Sequence, residues 1–316
     1  MSELFKEKYL KIMQPISDEM EYFDALLFKQ FEDIQIQKNQ IIPIIKEFLQ
    51  TKGKRIRPLI IFLFTRALGN EIQKSQYEIA ITNELIHNAT LIHDDIIDCS
   101  LVRRGKKTLN FNYDSKLAVL AGDYLLVKAI EILNTIKNEK IRNLYTETVS
   151  YLINGEIFQY FNRFKLLTIE NYIKKSKNKT ARLFEAGIVS TCFNLKKTNY
   201  IENARNFAIN FGIAFQIHND LKNINNIEKI SEDIKNGDSS APIIFYAQEN
   251  NIQSIQNNKL IKDIANSCAI EKTKALIKEY TNKAIENLSF LEDNLYKRAL
   301  IDLCKLYAEN WKSLDG

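Results

Sequence analysis

Three aspartates, Asp94, Asp95 and Asp98, stand within the otherwise apolar segment "LIHDDIID" at 91–98. On a helix, Asp94 and Asp98 share one face because residues four apart are neighbours there, whereas Asp95 lies about 100° round the helix axis. Like charges at this spacing destabilise a helix, and negative charge at a helix C-terminus is also unfavourable. The segment therefore predicts a partner of opposite charge, either a bound cation or an arginine.

The chemistry that suits this pattern is the binding of a metal together with phosphate. Mg²⁺ takes one or two protein carboxylates and completes its octahedron with water and phosphate oxygens. Arg103, Arg104 and Gly105 follow the aspartates, and arginines are good bidentate partners of phosphate groups. Acids for metal ions beside arginines for phosphate predict a site for a metal-bound polyphosphate. An exposed acidic turn paired with Arg103 and Arg104 is the alternative.

The elements that must position these residues are predicted to be helices. The 316 residues include only nine glycines and four prolines, which leaves little for the turns of a large sheet. Because no linker rich in Pro, Gly or Ser interrupts the chain, we expect one all-α domain over residues 1–316. Helical periodicity predicts helices at 2–12, 16–34, 38–50, 57–69, 74–98, 115–137, 139–161, 169–175, 178–194, 199–226, 241–248, 258–266, 270–290 and 294–312.

Composition excludes several classes of protein. The formal charge of +5 is interspersed along the helices, which favours a solvated surface over a nucleic-acid-binding face. Four cysteines without CxxC spacing indicate ordinary thiols in a reducing compartment. Residues 1–20 carry charges throughout, unlike a signal peptide, and the most apolar run, at 58–64, is too short to span a bilayer. We expect a cytoplasmic protein with no transmembrane segment and no nucleic-acid partner.

Six motifs carry a resemblance to a known family: "GKRIRP" (53–58), "HDDIID" (93–98), "RRG" (103–105), "GD" (122–123), "KTARLFEAG" (179–187) and "FGIAFQ" (211–216). Their order resembles that in trans-isoprenyl diphosphate synthases, and "ELIHNATLIHDDIID" is similar to the long-chain, octaprenyl type. The resemblance implies the isoprenoid synthase fold, an antiparallel helix bundle around a central active-site cavity. It also implies Mg²⁺-dependent condensation of isopentenyl diphosphate with an allylic diphosphate by a homodimer, with a membrane-soluble product such as the octaprenyl chain of quinones.

The same resemblance assigns roles to individual residues. It implies a catalytic group made of Asp94, Asp98, Arg103, Lys179 and Gln216. It implies that the two diphosphates are bound by Lys54, Arg55, His87, Arg103, Arg104, Lys179, Thr180 and Gln216. Mg²⁺ would be held by Asp94 and Asp98, with a weaker opposite site at Asn219 and Asp220. His87 also lies two helical turns before Asp94 on the same face, although a lone histidine on an apolar helix is most often simply packed.

Two small residues, Ala89 and Thr90, precede Asp94 by five and four positions. In the family that the chain resembles, bulky aromatics at these positions close the product tunnel early, whereas small residues leave it open. Ala89 and Thr90 therefore predict a long product. The alternative is that they allow helices to pack closely.

The second aspartate motif departs from the family pattern FQxxDDxxD, because the chain has "FQIHNDLKN" at 215–223. Asn219 and Asn223 replace two aspartates, and a neutral amide oxygen is a weaker magnesium ligand than a carboxylate. Asp238 stands where a lysine is expected, and a charge reversal at about 4 Å is worth on the order of 4 kcal/mol at an effective dielectric of about 20. Either Lys222 or Lys235 is a candidate to compensate.

These departures leave two alternatives to an active synthase. One is a non-catalytic or regulatory subunit that pairs with an active homologue, which the neutral Asn219 and the acidic Asp238 favour. The other is a class I terpene synthase on the same fold, since "NDL" at 219–221 fits the start of its second metal motif. The remainder of that motif matches poorly, and the retained basic motifs favour two diphosphate substrates.

Overall fold

The computed structural model describes residues 3–32, 40–51, 53–224, 234, 236–252 and 260–309. These residues form an almost entirely helical structure, which confirms the predicted all-α class. The α-helices are α1 (Glu3–Met13), α2 (Ser17–Lys29), α3 (Ile41–Gln50), α4 (Ile56–Ala67), α5 (Lys74–Ile97), α6 (Leu109–Asn112), α7 (Ser115–Thr135), α8 (Glu139–Phe161), α9 (Ile169–Ser176), α10 (Arg182–Asn194), α11 (Ile201–Ile224), α12 (Ala241–Glu249), α13 (Leu260–Ala265), α14 (Ala269–Glu286) and α15 (Leu295–Glu309).

Each predicted helix has a counterpart in the structure. Eight predicted helices have both ends within residues that the structure describes, and these ends agree to within a few positions, as at 74–98 and 139–161. Other predicted ends lie outside the described residues, at 2, 33–34, 38–39, 225–226, 258–259 and 310–312. Between α9 and α10 a single π-helical turn, Lys177–Ala181, joins the two helices without a break.

The segment between α5 and α6 differs from the predicted irregular break. It forms a short antiparallel hairpin, in which β1 (Val102–Arg103) pairs with β2 (Lys106–Lys107). Arg104 and Gly105 both have positive φ, at 54° and 75°. Two consecutive residues of this kind make a type I′ turn, whose twist matches that of paired strands and which glycine adopts without strain. The hairpin thereby fixes where the two arginines project.

The core of the bundle is built on α4 and α5, most of whose residues are buried. All of α4 except Arg66 is buried, as expected for a helix surrounded by others. α5 packs against α4 and α7, and α11 packs against α10 and α14. Phe64 of α4 stacks on Phe207 of α11, with ring centroids 6.1 Å apart. Burial of each such ring contributes about 1.5–3 kcal/mol, which holds α4 and α11 together.

The middle of α11 lies close to the π turn because of one glycine. A Cβ atom on Gly212 would come within 2.5 Å of the Ala181 Cα, so no side chain fits there. This close approach brings the π turn against the middle of α11. π turns are frequent at functional sites, and here the turn carries Lys179 and Thr180.

None of the helices in the described part of the chain combines the length and hydropathy that crossing a membrane requires.

Candidate active site

A cavity of about 440 Å³ lies where α5, α8, the π turn and α11 converge. It draws residues from six separated segments of the sequence. Eleven of the residues singled out from the sequence line it: His87, Thr90, Asp94, Asp98, Arg103, Arg104, Lys179, Thr180, Gln216, Asn219 and Asp220. We call it the acidic cavity because Asp94, Asp98 and Glu156 meet there.

Asp95 faces away from the acidic cavity and is neutralised within the fold. Its Oδ1 accepts a hydrogen bond from Arg103 Nε at 2.7 Å, and Arg103 Nη2 lies at the same distance from that oxygen. Asp95 is buried, whereas Arg103 is half-buried and lines the cavity. Of the three aspartates, only Asp95 is paired with an arginine of the hairpin. The alternative of an exposed acidic turn therefore applies to Asp95 in its pairing but not in its exposure.

The two aspartates that line the cavity have other partners. Asp98 Oδ1 accepts a hydrogen bond at 2.8 Å from Arg163 Nη2, in the segment just after α8. Asp94 Oδ2 lies 3.8 Å from Lys179 Nζ, which also contacts Glu156 Oε2 at 2.5 Å. Arg163 and Glu156 were not singled out from the sequence, since neither belongs to a motif there. The structure thus provides side-chain cations for the crowded acids.

Burial dominates the electrostatics of this cluster. It raises the pKa of Asp94 to about 6; Lys179 opposes this shift, and the nearby Glu156 and Asp98 add to it. Burial would by itself lower the pKa of Lys179, but Asp94 and Glu156 outweigh it, and the pKa is raised. A carboxylate held ionised at this depth favours any cation that enters the cavity.

The acids fit a magnesium ion better than a metal with an all-protein cage. Among the described residues, no three His, Cys, Asp or Glu side chains converge as a preformed metal cluster. Mg²⁺ needs none, because one or two carboxylates suffice and phosphate and water supply the other oxygens. Asp94 and Asp98 lie one turn apart on the cavity wall. Glu156 Oε2 is paired with Lys179, whereas the buried Oε1 has no hydrogen-bond donor within the described part of the chain. These hard oxygen donors fit the ion.

The opposite wall of the cavity is a hydrogen-bonded chain that fixes Asp220. Thr180 Oγ1 donates to Gln216 Oε1 at 2.7 Å, and Gln216 Nε2 donates to Asp220 Oδ1 at 2.8 Å. Tyr172 donates its hydroxyl to Asp220 Oδ2 at 2.6 Å. Both oxygens of Asp220 are therefore occupied by neutral donors, and burial raises its pKa. Asn219 lines the cavity beside Asp220. Of the two residues predicted to hold the second metal ion, Asn219 is therefore uncharged, and Asp220 accepts a hydrogen bond at each carboxylate oxygen.

Of the two candidates for a compensating lysine, Lys222 lines a neighbouring cavity rather than the acidic one. Lys235 lies outside the described residues. Asp238 does line the acidic cavity, where burial raises its pKa to about 6 against the effect of Lys175 and Lys179. Lys175, in α9, is thus the additional cation on this side, and sequence inspection missed it within the basic stretch 173–182.

A second cavity, of about 320 Å³, adjoins the first. The two share five lining residues: Arg57, His87, Arg104, Phe215 and Asn219. The second cavity also contains Lys54, Arg55 and Lys222, and we call it the basic cavity. Arginines surround His87 there, and burial together with their charge, Arg57 foremost, lowers its pKa well below the usual value. His87 is therefore neutral at physiological pH.

Arg55 differs from the predicted diphosphate clamp. Its guanidinium is buried and has a partner on every side. Nη1 donates to Glu84 Oε1 at 2.6 Å, Nε donates to Asp24 Oδ1 at 3.2 Å, and Nη2 donates to the Leu49 carbonyl at 3.2 Å. Arg55 borders the basic cavity, but these ion pairs link α2, α4 and α5. Arg55 therefore stabilises the packing of these helices.

Arg57, two residues further along the chain, differs from Arg55 in its surroundings. It lines both cavities, although only 9% of the residue is exposed. Its guanidinium carbon lies 4.7 Å from the ring centroid of Phe184, and its buried Nε has no hydrogen-bond acceptor among the described residues. Burial lowers its pKa to about 10. Both arginines belong to the motif "GKRIRP", but the motif alone does not tell which of them is held in ion pairs within the fold.

Lys54 is held at the edge of the basic cavity by the two terminal helices. Its Nζ lies 4.2 Å from the ring centroid of Phe5 in α1 and 3.5 Å from the Tyr307 hydroxyl in α15. The hydroxyl of Tyr9 donates a hydrogen bond to the backbone carbonyl of Lys54. Burial, and then the charge of Lys222, lower the pKa of Lys54 to about 8.

The two residues proposed to control chain length have different positions. Thr90 lines the acidic cavity, and its hydroxyl donates to the His87 carbonyl at 2.8 Å. Ala89 is completely buried in the core and does not border either cavity. The structure therefore supports a direct role on the cavity wall for Thr90, whereas Ala89 matches the alternative of close helix packing.

Comparison with known proteins agrees with the resemblance found in the sequence. The profile of the family described as "Polyprenyl synthetase" matches residues 38–280. The decaprenyl-diphosphate synthase of Dictyostelium discoideum is 32% identical over 84% of this chain, which spans 61% of that protein's length. The octaprenyl diphosphate synthase of Escherichia coli (strain K12) is 30% identical, with 80% of this chain and 85% of that protein aligned.

A solved structure shows the same architecture. The heptaprenyl diphosphate synthase of Staphylococcus aureus superposes with a TM-score of 0.83 and 28% sequence identity, over 92% of this chain and 97% of that one. The family profile covers more than half of the chain, and the fold agrees with it. This chain belongs to the polyprenyl synthetase family.

Proposed function

We propose that the protein is a Mg²⁺-dependent polyprenyl diphosphate synthase that condenses isopentenyl diphosphate with an allylic diphosphate to give a long-chain product. The observation that carries the proposal is the pair of adjoining cavities. One is lined by paired acids and cations, the other mainly by cations, and they share Arg57, His87 and Arg104. Two diphosphates in neighbouring sites are what a condensation requires. Relatives named octaprenyl and decaprenyl diphosphate synthases support a long chain.

The acidic cavity is the proposed site of the allylic diphosphate. Mg²⁺ held by Asp94 and Asp98 would supply charge stabilisation to the departing diphosphate. Arg103 and Lys179 line the same cavity and provide fixed cations for the same charge. Thr180 and Gln216, joined by a 2.7 Å hydrogen bond, orient the wall opposite the aspartates.

The basic cavity is the proposed site of isopentenyl diphosphate. Lys54, Arg57 and Arg104 are its cations, and neutral His87 adds a hydrogen-bonding group without charge. Because the two cavities share a wall, the double bond of the acceptor would lie beside the carbon that loses diphosphate. A side-chain nucleophile is not required, and the departing diphosphate is the proposed acceptor of the final proton.

The protein is further proposed to be a cytoplasmic homodimer, with residues 1–316 forming one domain. Large apolar side chains are exposed along α7 and α8, and surfaces of this kind mark protein–protein contacts. They are Val119, Leu120, Val127, Ile130, Tyr151, Ile153, Ile157, Tyr160 and Phe161. A second copy of the chain is the proposed partner for this face.

The direct test is incubation of the pure protein with Mg²⁺, labelled isopentenyl diphosphate and farnesyl diphosphate. Long linear prenyl diphosphates are the expected product. A cyclic hydrocarbon made from the allylic substrate alone would instead identify a terpene synthase. Inertness until a homologous partner is added would identify a non-catalytic subunit, the alternative that neutral Asn219 favours.

Lys54 gives the acceptor site an expected pH dependence. The ammonium form binds diphosphate, and with a pKa of about 8 the lysine loses its proton as pH rises from 7 to 9. About one tenth remains charged at pH 9, so the KM for isopentenyl diphosphate is expected to rise about tenfold. In a Lys54→Arg variant, which stays charged, the same titration of KM is expected to be nearly flat. Equal slopes for both proteins would refute the assignment.

Thr90→Phe is expected to shorten the product. A phenyl ring on the wall of the acidic cavity would block the space below the allylic site, so the main product should lose several isoprene units. Chromatography of dephosphorylated products measures this. Ala89→Phe is the contrasting change, since it overpacks the core and is expected to destabilise the fold by about 1–3 kcal/mol. An unaltered product length in Thr90→Phe would contradict the proposed path.

A further inference from the structure

Lys222 occupies an unexpected position on α11. It lies one helical turn after Asn219, within a segment whose acids were predicted to serve a metal. Yet it lines the basic cavity, together with Lys54, Arg57 and Arg104, and is absent from the lining of the acidic one. Asn219 borders both. This turn of α11 therefore directs an amide to the shared wall and an ammonium to the basic side.

The charges that line the basic cavity are strongly unbalanced. Among its described lining residues the only carboxylate is Glu84, and Arg55 Nη1 donates to it at 2.6 Å. Four further cations converge on the same space: Lys54, Arg57, Arg104 and Lys222. Lys222 also contributes, after burial, to the lowered pKa of Lys54, which places the two ammonium groups within electrostatic reach. Several cations in one buried space repel one another and lose solvation, and a bound polyanion would offset this cost.

We propose that Lys222 is an additional binding residue for the diphosphate of the acceptor substrate, and that Asn219 strengthens this role by being uncharged. The inference rests on the proposed function. It explains together two features of α11, the added cation and the missing acid. A ligand with two phosphate groups is favoured over a single phosphate, because the four cations come from α4 and the residues before it, the hairpin and α11 and surround the cavity.

The neutrality of Asn219 matters because of its spacing from Lys222. An aspartate at position 219 would lie three residues before the lysine on the same helix, where opposite charges pair. It would also place a carboxylate on the wall of the basic cavity. Both effects would weaken the attraction for a diphosphate. Asparagine keeps the hydrogen-bonding amide and removes the competing charge.

The test is calorimetric titration of isopentenyl diphosphate into the full-length protein without Mg²⁺, with KM values measured in parallel. Lys222→Gln is expected to weaken the binding of isopentenyl diphosphate about tenfold, the loss expected for one charge-assisted hydrogen bond. Its KM for the allylic substrate is expected to change less than twofold. Lys222→Arg is expected to keep near-normal affinity. Lys278→Gln, which removes a lysine from the exposed face of α14, is the matched control and should bind normally.

A double-mutant cycle tests the part played by Asn219. Asn219→Asp is expected to weaken the binding of isopentenyl diphosphate about threefold when Lys222 is present, and less than that in the Lys222→Gln background. Equal effects in both backgrounds would overturn the proposed coupling.

Two results separate this inference from the proposed function. Unchanged affinity in Lys222→Gln, or an equal loss for both substrates, would overturn the role of Lys222 while leaving the synthase intact. A wild-type protein that neither binds nor consumes isopentenyl diphosphate would overturn both.

Discussion

Asp94→Ala is expected to lower kcat about a thousandfold or more while the protein remains folded. Asp94 lines the acidic cavity one turn from Asp98, and it is the aspartate that lies near Lys179. Without it, one of the two carboxylates proposed to hold Mg²⁺ on the allylic diphosphate is lost. Loss of a single group that stabilises developing charge typically costs about 10²–10³ in kcat, and loss of a metal ligand adds to that.

The stability expected for a neutral residue at position 94 follows from the sign of the pKa shift of Asp94. Burial raises the pKa of Asp94 to about 6, above its value in the unfolded chain. Folding is therefore penalised at every pH above 6, where the carboxylate must be kept ionised, and the penalty disappears as pH falls below about 4. At pH 7.5, Asp94→Asn should unfold at the same temperature as the wild-type protein or a higher one.

A matched control separates the site from a general effect of charge. Asp302→Asn removes an exposed carboxylate from α15 and should leave kcat and KM unchanged. Steady-state kinetics with both substrates compares the wild-type protein, Asp94→Ala and Asp302→Asn. Normal turnover in Asp94→Ala would rule out the metal assignment.

Arg57→Leu is expected to lower kcat/KM for isopentenyl diphosphate about a hundredfold and to increase stability. Arg57 lines both cavities, and its buried Nε lacks an acceptor among the described residues. Truncating one partner of a buried charge pair costs about 2–5 kcal/mol of binding, or about thirtyfold and more. Leucine at this position also removes a buried donor that lacks an acceptor among the described residues, which is expected to stabilise the fold by about 1–3 kcal/mol.

Arg55→Leu is the contrasting variant. The guanidinium of Arg55 bridges Asp24 and Glu84, so its removal leaves the buried Glu84 without its cation and breaks the ion pair to the half-buried Asp24. We expect a loss of about 3–5 kcal/mol in the free energy of unfolding. Thermal unfolding followed by circular dichroism distinguishes the two variants. A stabilised Arg55→Leu together with a destabilised Arg57→Leu would reverse the roles assigned to these arginines.

Local features of the site were predictable from the sequence because they repeat at helical spacing. The stripe formed by His87, Thr90, Asp94 and Asp98 lies on α5 as the period requires, and all four residues line the acidic cavity. The arginines of "RRG" were correctly placed near the aspartates. The hairpin that carries them was not predicted, since its strands have two residues each and no alternation of apolar and polar side chains.

Partnerships between distant segments were not predictable. Which of Arg55 and Arg57 is engaged in ion pairs within the fold depends on Asp24 of α2 and Glu84 of α5, whose positions follow only from the packing of helices. Arg163 carries no motif, and its contact with Asp98 joins residues 65 positions apart. Lys222 was correctly placed on one face with Asn219, but helical spacing alone does not indicate which cavity that face borders.

The most direct test of the account is a calorimetric titration of a non-reactive allylic diphosphate analogue, carried out with Mg²⁺ and again with excess chelator. Tight uptake that requires Mg²⁺, and that is lost in Asp94→Ala, is the expected result. Binding of equal strength with and without the metal, or binding that the Asp94→Ala change leaves intact, would contradict the claim that the acidic cavity holds a metal-bound diphosphate.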